Sequence, residues 1–571
     1  MTELHVVDKV VIVAYLLGIT LLGAWAARRV KDSSDFFMPR RFGKAMMIFN
    51  AFGTGTAADQ AVPVAAKTFQ QGLSGIWWSW LWLPATPFYW LIAPVMRRLR
   101  ATTTADAYTL RFGPSVGVLF ALVGIVGLSV KIGLMLKGAG EMIESATGGA
   151  YAADAAILVI TVLFVIYGTA GGLAAAIITD YVQGILTLVF SFMLLPFVLH
   201  AVGGLAGAKA TINDPQMLRL MVPGEIGPFF VAMYALQALI GIVAQPFIMG
   251  VCAAGRTEMD GRVGFMVGNL VKRLCTMAWC ITALAAVAWY MQRDVPLSDI
   301  NPDHVYGDVA NAFLPTVMPG LLGIFLAALL ASAMSSCDAF MISSSGLFTT
   351  NVYKPLVAGR GEKHYLLVGR AAALAVVAGG LAFAFWAENV IHALNIWLRI
   401  APMMGIAFWL GLFWRRTTTA GAWAATLTGF AAWWATAQQR VVQWAAELPV
   451  AESLTLVTQT AKGPALREPW VILFYTVASL AAGVVVSLVT QPADAEKLER
   501  FYGLIRTPVA DDEPPAHDCR LPQGVQPAPR RLLVGAGGLE ILRPSRTSVV
   551  GFLAGCAGVV ALVGGFWLLV M

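Results

Sequence analysis

Apolar runs long enough to cross a lipid bilayer follow one another along this chain, and they restrict its fold more than any other feature. One of them, Val10 to Ala27, is interrupted only by Tyr, Gly and Thr. About 20 apolar residues in a helix, at about 1.5 Å each, cover the roughly 30 Å of hydrocarbon in a bilayer. Backbone groups inside hydrocarbon find no water, so each run is expected to close its own hydrogen bonds as an α-helix. The runs lie at 8–28, 44–71, 74–97, 114–144, 150–169, 172–199, 227–253, 264–291, 318–348, 366–387, 389–413, 418–436, 470–490 and 548–570. They predict an all-α integral membrane protein with about 14 transmembrane helices.

Composition and charge agree. Hydrophobic residues make up 58% of the chain and charged residues 12%, too little charge to cover a soluble domain of this length. The net charge of +7 reflects loop bias and implies no nucleic-acid partner. If sidedness alternates, the inner loops carry Arg28, Arg29 and Lys31, then Arg97, Arg98 and Arg100, then Arg415 and Arg416. The outer loops 200–226 and 292–317 carry only Lys209, Arg219 and Arg293. Basic residues gather on the cytoplasmic side, which predicts a multi-pass cell-membrane protein with both termini outside. The leader Met1 to Lys9 is not basic and the charges follow the first run. That is a stop-transfer pattern, so no cleavage is expected despite Ala24-Trp25-Ala26.

Residues 492–546 differ from the rest. They hold eight prolines, among them Pro508, Pro514 and Pro515, and read as a partly disordered cytoplasmic linker. The segment 438–468 reads as an outer loop. Neither is large enough for an enzyme domain of normal size. Six cysteines show no metal spacing and suggest no disulfide framework.

The second run contains Gly53-Thr54-Gly55-Thr56-Ala57-Ala58-Asp59-Gln60, with Pro63 beyond. Glycine and proline loosen a helix, and threonine hydroxyls can satisfy freed backbone groups. A helix broken at mid-membrane offers carbonyls to a cation and N–H groups to an anion. A close-packing face of small residues is the plainer explanation, but such a face does not need Asp59. In the ninth run Ser332, Ser335 and Ser336 share an arc of about 100°, with Ser343 on the same side, which suits a small hard cation. Hydroxyls bonding back to their own helix would account for them too. Asp338 points about 110° away from that arc. As a buried carboxylate it calls for a partner, and the candidates in other spans are Lys131, Lys137 and Arg399. Lys131, Asp338 and Arg399 are buried charges with no role fixed by spacing; Lys131 is either an ion-pair partner or part of a proton relay. Trp77, Trp78, Trp80 and Trp82 read as an aromatic belt at the membrane interface.

The block Tyr167-Gly168-Thr169-Ala170-Gly171-Gly172-Leu173, followed by Thr179-Asp180-Tyr181-Val182-Gln183, resembles the sodium:solute symporter family. So do Ser34-Asp35-Phe36-Phe37, Ala58-Asp59-Gln60, and the span from Leu326-Ala327-Ala328 through Ser335-Ser336 to Asn351-Val352-Tyr353-Lys354. The resemblance covers roughly 8–440. It implies a LeuT-type fold of two inverted five-helix repeats, 44–199 and 227–413, separated by the outer loop 200–226. A helix and loop (1–43) precede them. Helices with an outer loop (414–491), the linker (492–546) and a last helix (547–571) follow. The resemblance also implies that 227–253 is broken like 44–71. It implies sodium as a transported ion, not a prosthetic group, held by Gly53, Thr56, Ser332, Ser335 and Ser336. An acid matching Asp180 serves a second sodium in some members. Gln60 and Asp59 would contact a small organic solute. The chain departs from the family at Met249-Gly250, where a Gln-Arg is usual, and at Lys131 and Asp338.

The expected function is therefore sodium-coupled import of a small organic solute by alternating access, with no catalytic residues and no obligate protein partner. A proton-coupled or uncoupled transporter of the same fold, using Lys131, Asp59 or Asp338, is the alternative. A sensor built on the same fold would need an output domain, which 492–546 does not provide. No phosphate loop, metal triad or nucleophile elbow occurs in the sequence.

Overall fold

The structure, a computed structural model, describes residues 4–28, 36–222, 226–460, 463–510, 513 and 519–571, without the side chains of Ala27 and 167–171. Ser34-Asp35 and the side chains of the Tyr167–Gly171 motif thus lie outside the described residues. The helices that matter here are α1 (Val6–Ala27), α2 (Lys44–Gly53), α3 (Ala58–Gln71), α4 (Pro114–Ala146), α5 (Ala153–Phe192), α6 (Pro228–Ile242), α7 (Ile248–Ala253), α8 (Glu258–Met291), α9 (Leu321–Gly346), α10 (Glu362–Trp386), α11 (Val390–Phe413), α12 (Glu468–Val489), α13 (Ala495–Arg506) and α14 (Arg546–Val570). Strands among the described residues form only short antiparallel hairpins, Val457–Thr460 with Gly463–Leu466 and Leu532–Val534 with Ile541–Leu542.

Nine of the described helices are long and apolar enough to cross a bilayer: α1, α4, the second half of α5, α8 to α12, and α14. The other expected crossings are helical but divided or less apolar. The run 44–71 splits into α2 and α3, and 227–253 splits into α6 and α7. The runs 150–169 and 172–199 join as α5, with a kink at Gly172 where φ is 59°. α9 is the axis of the bundle, packed against α1, α4, α5 and α10 and buried on all sides. α1 and α14 lie outside, with Leu17, Leu21, Leu553 and Leu568 exposed, as lipid-facing helices require.

The tryptophan expectation is corrected. Trp77, Trp80 and Trp82 are buried and form no interfacial belt. Two short helical turns, Gly72–Ile76 and Trp77–Trp80, swing the chain inward before the helix Thr86–Arg98. Trp80 then packs on Phe566 at 5.3 Å and Trp82 on Trp397 at 5.7 Å between ring centroids. The indole N–H groups of Trp77 and Trp80 donate to the carbonyls of Leu220 and Arg273, the usual way a buried indole is satisfied.

Part of 492–546 is also more ordered than its composition suggests. Leu498, Phe501, Tyr502 and Ile505 recur at helical spacing and bury one face of α13. The helix is tied to the bundle end where α8 begins. Tyr502 donates to the Gly411 carbonyl at 2.8 Å, Arg98 donates to the Ile505 carbonyl at 3.2 Å, and Arg415 pairs with Glu499 at 2.8 Å. Hydrogen bonds from Arg506 and Arg415 hold the Glu499 carboxyl below the usual carboxylate range. Beyond α13, Arg100 pairs with Glu513 at 2.6 Å, with side chains 0% and 7% exposed. Removing one partner of such a pair leaves a buried charge and costs about 3–5 kcal/mol. Glu513→Ala is therefore expected to lower the melting temperature of the detergent-solubilised protein, whereas a freely solvated linker would show no change.

Candidate ion and solute site

The interruption between α2 and α3 follows from four residues. α2 ends at Gly53, Thr54 is extended, Gly55 takes φ +80°, and Ala57 is extended before α3 begins. A positive φ is open to glycine at little cost, which is why the turn falls at Gly55. The freed backbone groups must be satisfied without bulk water. The Ser336 hydroxyl accepts from the Gly55 N–H at 3.0 Å and donates to the Gly53 carbonyl at 2.8 Å. Lys272 Nζ donates to the Thr54 carbonyl at 3.0 Å, and Gln60 Nε2 to the Gly55 carbonyl at 2.6 Å. Thr56 Oγ1 donates to the Phe52 carbonyl. Helices α3, α8 and α9 thus hold the break together.

Oxygen atoms collect on the α9 side. Ser335 Oγ donates to Asp180 Oδ1 at 2.5 Å. Asp180 Oδ2 and Thr54 Oγ1 are buried without a hydrogen bond among the described residues. Gly53 has no side chain to intervene: a Cβ there would lie 2.9 Å from Ser335 Oγ and 3.9 Å from the Asp180 carboxyl carbon. Gly53, Ser335, Ser336 and Asp180 are therefore one cluster, with acceptor capacity to spare for a hard cation. Ser332 is buried one turn earlier and its hydroxyl donates to its own helix at Leu329. The same fate meets Ser343, which donates to the Ala339 carbonyl.

The buried charges pair differently from the sequence expectation. Lys131 Nζ meets Asp59 Oδ2 at 2.5 Å, not Asp338, and sits 3.8 Å above the centre of the Trp397 ring. Lys137 pairs with Glu141 on its own helix, and Arg399 pairs with Glu468 near a bundle end, 22% exposed. None of these three cations pairs with Asp338, because each has a nearer carboxylate. Asp338 itself is buried on the side of α9 that faces Tyr15 of α1. Asp59 is fully buried and turned to Lys131, while its neighbour Gln60 lines a cavity.

That cavity, about 40 Å³, lies between the two helix interruptions. One wall is Thr54, Gly55 and Gln60. The opposite wall is Ile242, Gln245 and Phe247 at the break between α6 and α7, where Pro246 removes a backbone donor and Thr104 Oγ1 donates to its carbonyl at 2.9 Å. Trp82 and Trp397 close a side, and α8 contributes Asn269, Lys272 and Arg273. Lys272 and Arg273 belong to no motif. They are absent from the sequence expectations, although two adjacent cations inside an apolar run are a signal that could have marked them.

Two interrupted helices crossing beside a buried oxygen cluster and a polar cavity define a membrane transporter of the broken-helix class. The model of the sodium:solute symporter family matches residues 36–429, and the chain belongs to that family. It is 25% identical over 511 residues to the osmoregulated proline transporter OpuE of Bacillus subtilis, covering 86% of this chain and 96% of that protein. It is 24% identical over 446 residues to the sodium/pantothenate symporter of Escherichia coli, covering 73% of this chain and 88% of that one. Its fold is shared with a Na+-coupled sialic acid symporter at 17% identity, with a TM-score of 0.67 over 86% of this chain and 99% of the other.

The Asp59–Lys131 pair yields a direct test. Lys131→Met leaves Asp59 buried and unpaired, an expected loss of about 3–5 kcal/mol. Adding Asp59→Leu removes both charges and should recover most of that loss. Melting temperatures of the purified wild-type, single and double variants close the cycle; equal destabilisation by the single and double changes would contradict the pairing.

Proposed function

We propose that this protein is a sodium-coupled symporter that imports a small organic solute by alternating access. The observation that carries the reading is the convergence of Ser335, Ser336 and Asp180 on the backbone carbonyl of Gly53, where α2 ends. Sodium would be held there by oxygens of Gly53, Thr56, Ser332, Ser335 and Ser336, with Asp180 serving the same or a second ion. The solute would occupy the adjoining cavity against Gln60. Asp59 would act through Lys131, fixing the start of α3.

An ion that bridges α2 and α9 favours the conformation in which those helices meet, and a ligand shifts an equilibrium only by such differential contact. One sodium crossing about 100 mV with a tenfold gradient releases about 3.7 kcal/mol, enough for about a 500-fold gradient of a solute with no net charge; an anion moving with one sodium draws on the roughly tenfold ion gradient alone. The reading includes 14 crossings, inverted repeats at 44–199 and 227–413, both termini outside, and a cytoplasmic 492–546. The paired halves 44–71 and 227–253, each interrupted near its middle, support the repeat assignment.

The double variant Ser335→Ala/Ser336→Ala is expected to raise the sodium concentration for half-maximal uptake by at least about tenfold in reconstituted vesicles, as the loss of two hydroxyls at an ion implies. Unchanged sodium dependence would remove the site. Gln60→Ala should alter solute affinity more than sodium affinity, and the reverse result would contradict its placement.

A further inference from the structure

Three basic side chains line the cavity between the two interruptions, and only one of them has a carboxylate in salt-bridge contact among the described residues. Lys131 is matched by Asp59. Lys272 and Arg273, 5% and 2% exposed, have no carboxylate within 4.0 Å among the described residues. Arg273 spends donors on the carbonyl and hydroxyl of Ser79, at 2.5 and 2.8 Å, and lies 5.6 Å from the Trp82 ring centre. Lys272 uses one of its three N–H groups on the Thr54 carbonyl. It faces the break so closely that a Cβ at Gly55 would sit 3.9 Å from its Nζ.

Lys272 also lies within the apolar helix α8 and beside the break between α2 and α3, not at a bundle end. A cation at mid-membrane costs about 3 kcal/mol even on insertion scales, so it belongs with a partner or on a transport path. The backbone adds to the imbalance, because α3 starts at the cavity and presents the positive end of its dipole.

Resting on the symporter reading, we propose that the solute is an organic anion whose carboxylate pairs with Lys272. A neutral polyol supplies no countercharge. A zwitterion brings a cation of its own, and the acid nearest the cavity, Asp59, is already committed to Lys131. Asn269 has its carbonyl oxygen available, since only its Nδ2 is engaged, by Phe265 at 2.8 Å. It and Gln60 would take the polar remainder of the anion, with the Trp82 and Trp397 rings as walls. A cavity of about 40 Å³ holds little more than a water molecule, so binding requires the walls to part.

The test uses the full chain in vesicles with and without an inward sodium gradient, with labelled pyruvate, pantothenate and N-acetylneuraminate as anions, D-glucose and myo-inositol as neutral solutes, and L-proline as the zwitterion. At least one of the three anions should accumulate with sodium, and the other three solutes should not. Lys272→Gln should raise the KM for that anion by roughly 10- to 100-fold, the effect of losing one charged hydrogen bond, and Lys272→Arg should keep most of the affinity. Sodium-induced change in tryptophan fluorescence, read without solute, checks the ion site and the folding of each variant. Sodium-driven uptake of glucose, inositol or proline, no uptake of any anion, or an unchanged KM in Lys272→Gln would overturn the inference. If the fluorescence response to sodium persists in those cases, the symporter reading stands; if wild type gives no response, that reading falls with it.

Discussion

A helix that stops in the middle of a membrane must find partners for its backbone without water, and the architecture around residues 53–58 answers that demand. An unsatisfied amide or carbonyl in hydrocarbon costs several kcal/mol. Ser336 from α9, Lys272 from α8 and Gln60 from α3 each take one or two of the freed groups. The three helices are thereby fixed relative to α2. A serine supplies both a donor and an acceptor from one atom, which no apolar residue of that size can do. The axial position of α9 and the residue types along it follow from the same need.

Charge is handled by the same economy of partners. Asp59 opens the first turn of α3, where the helix dipole favours an anion, and Lys131 from α4 reaches it under the Trp397 ring. The ring adds cation–π attraction in a dry setting. α4 is therefore bound to the broken helix by an ion pair, while α8 and α9 are bound to it by hydrogen bonds. At the far end, Arg100 and Arg415 perform a similar service for the segment after α12, using carboxylates at Glu513 and Glu499, while Arg98 donates to its Ile505 carbonyl.

Much of this was legible in the sequence because it depends on local residue types. Gly53 and Gly55 beside two threonines announced the break, and paired serines announced a polar face on α9. What could not be read was which distant groups meet. Asp338 had three candidate cations, Lys131, Lys137 and Arg399, and spacing cannot rank them, since the pairing depends on how the helices cross; Lys131 pairs with Asp59 instead. Ser332 shares its arc with Ser335, yet its hydroxyl bonds back to Leu329, a local competition that periodicity does not resolve. Lys272 was hidden by a boundary. A span drawn from 264 puts it in the inner third, where a lysine can snorkel; only the structure shows it turned inward to the Thr54 carbonyl. The tryptophans misled because a composition of aromatics near a loop looks the same whether the chain runs straight or turns inward.

The two proposed ligands meet at one short stretch of backbone. The ion cluster uses the carbonyl of Gly53, and Lys272 uses the carbonyl of Thr54, the next peptide along. A cation drawn to the first carbonyl and an anion drawing Lys272 away from the second act on the same turn, so neither can bind without altering the conformation the other meets. Linkage makes such an effect reciprocal: sodium tightens the solute site by the factor by which solute tightens the sodium site. Opposite charges also cancel across the break. A dry cavity that must hold sodium and a carboxylate within a few residues costs less to close than one holding either alone, because each desolvated charge has its complement. Coupling would then come from the closing step itself, which is accessible to the doubly occupied form and opposed by unpaired charge in the others.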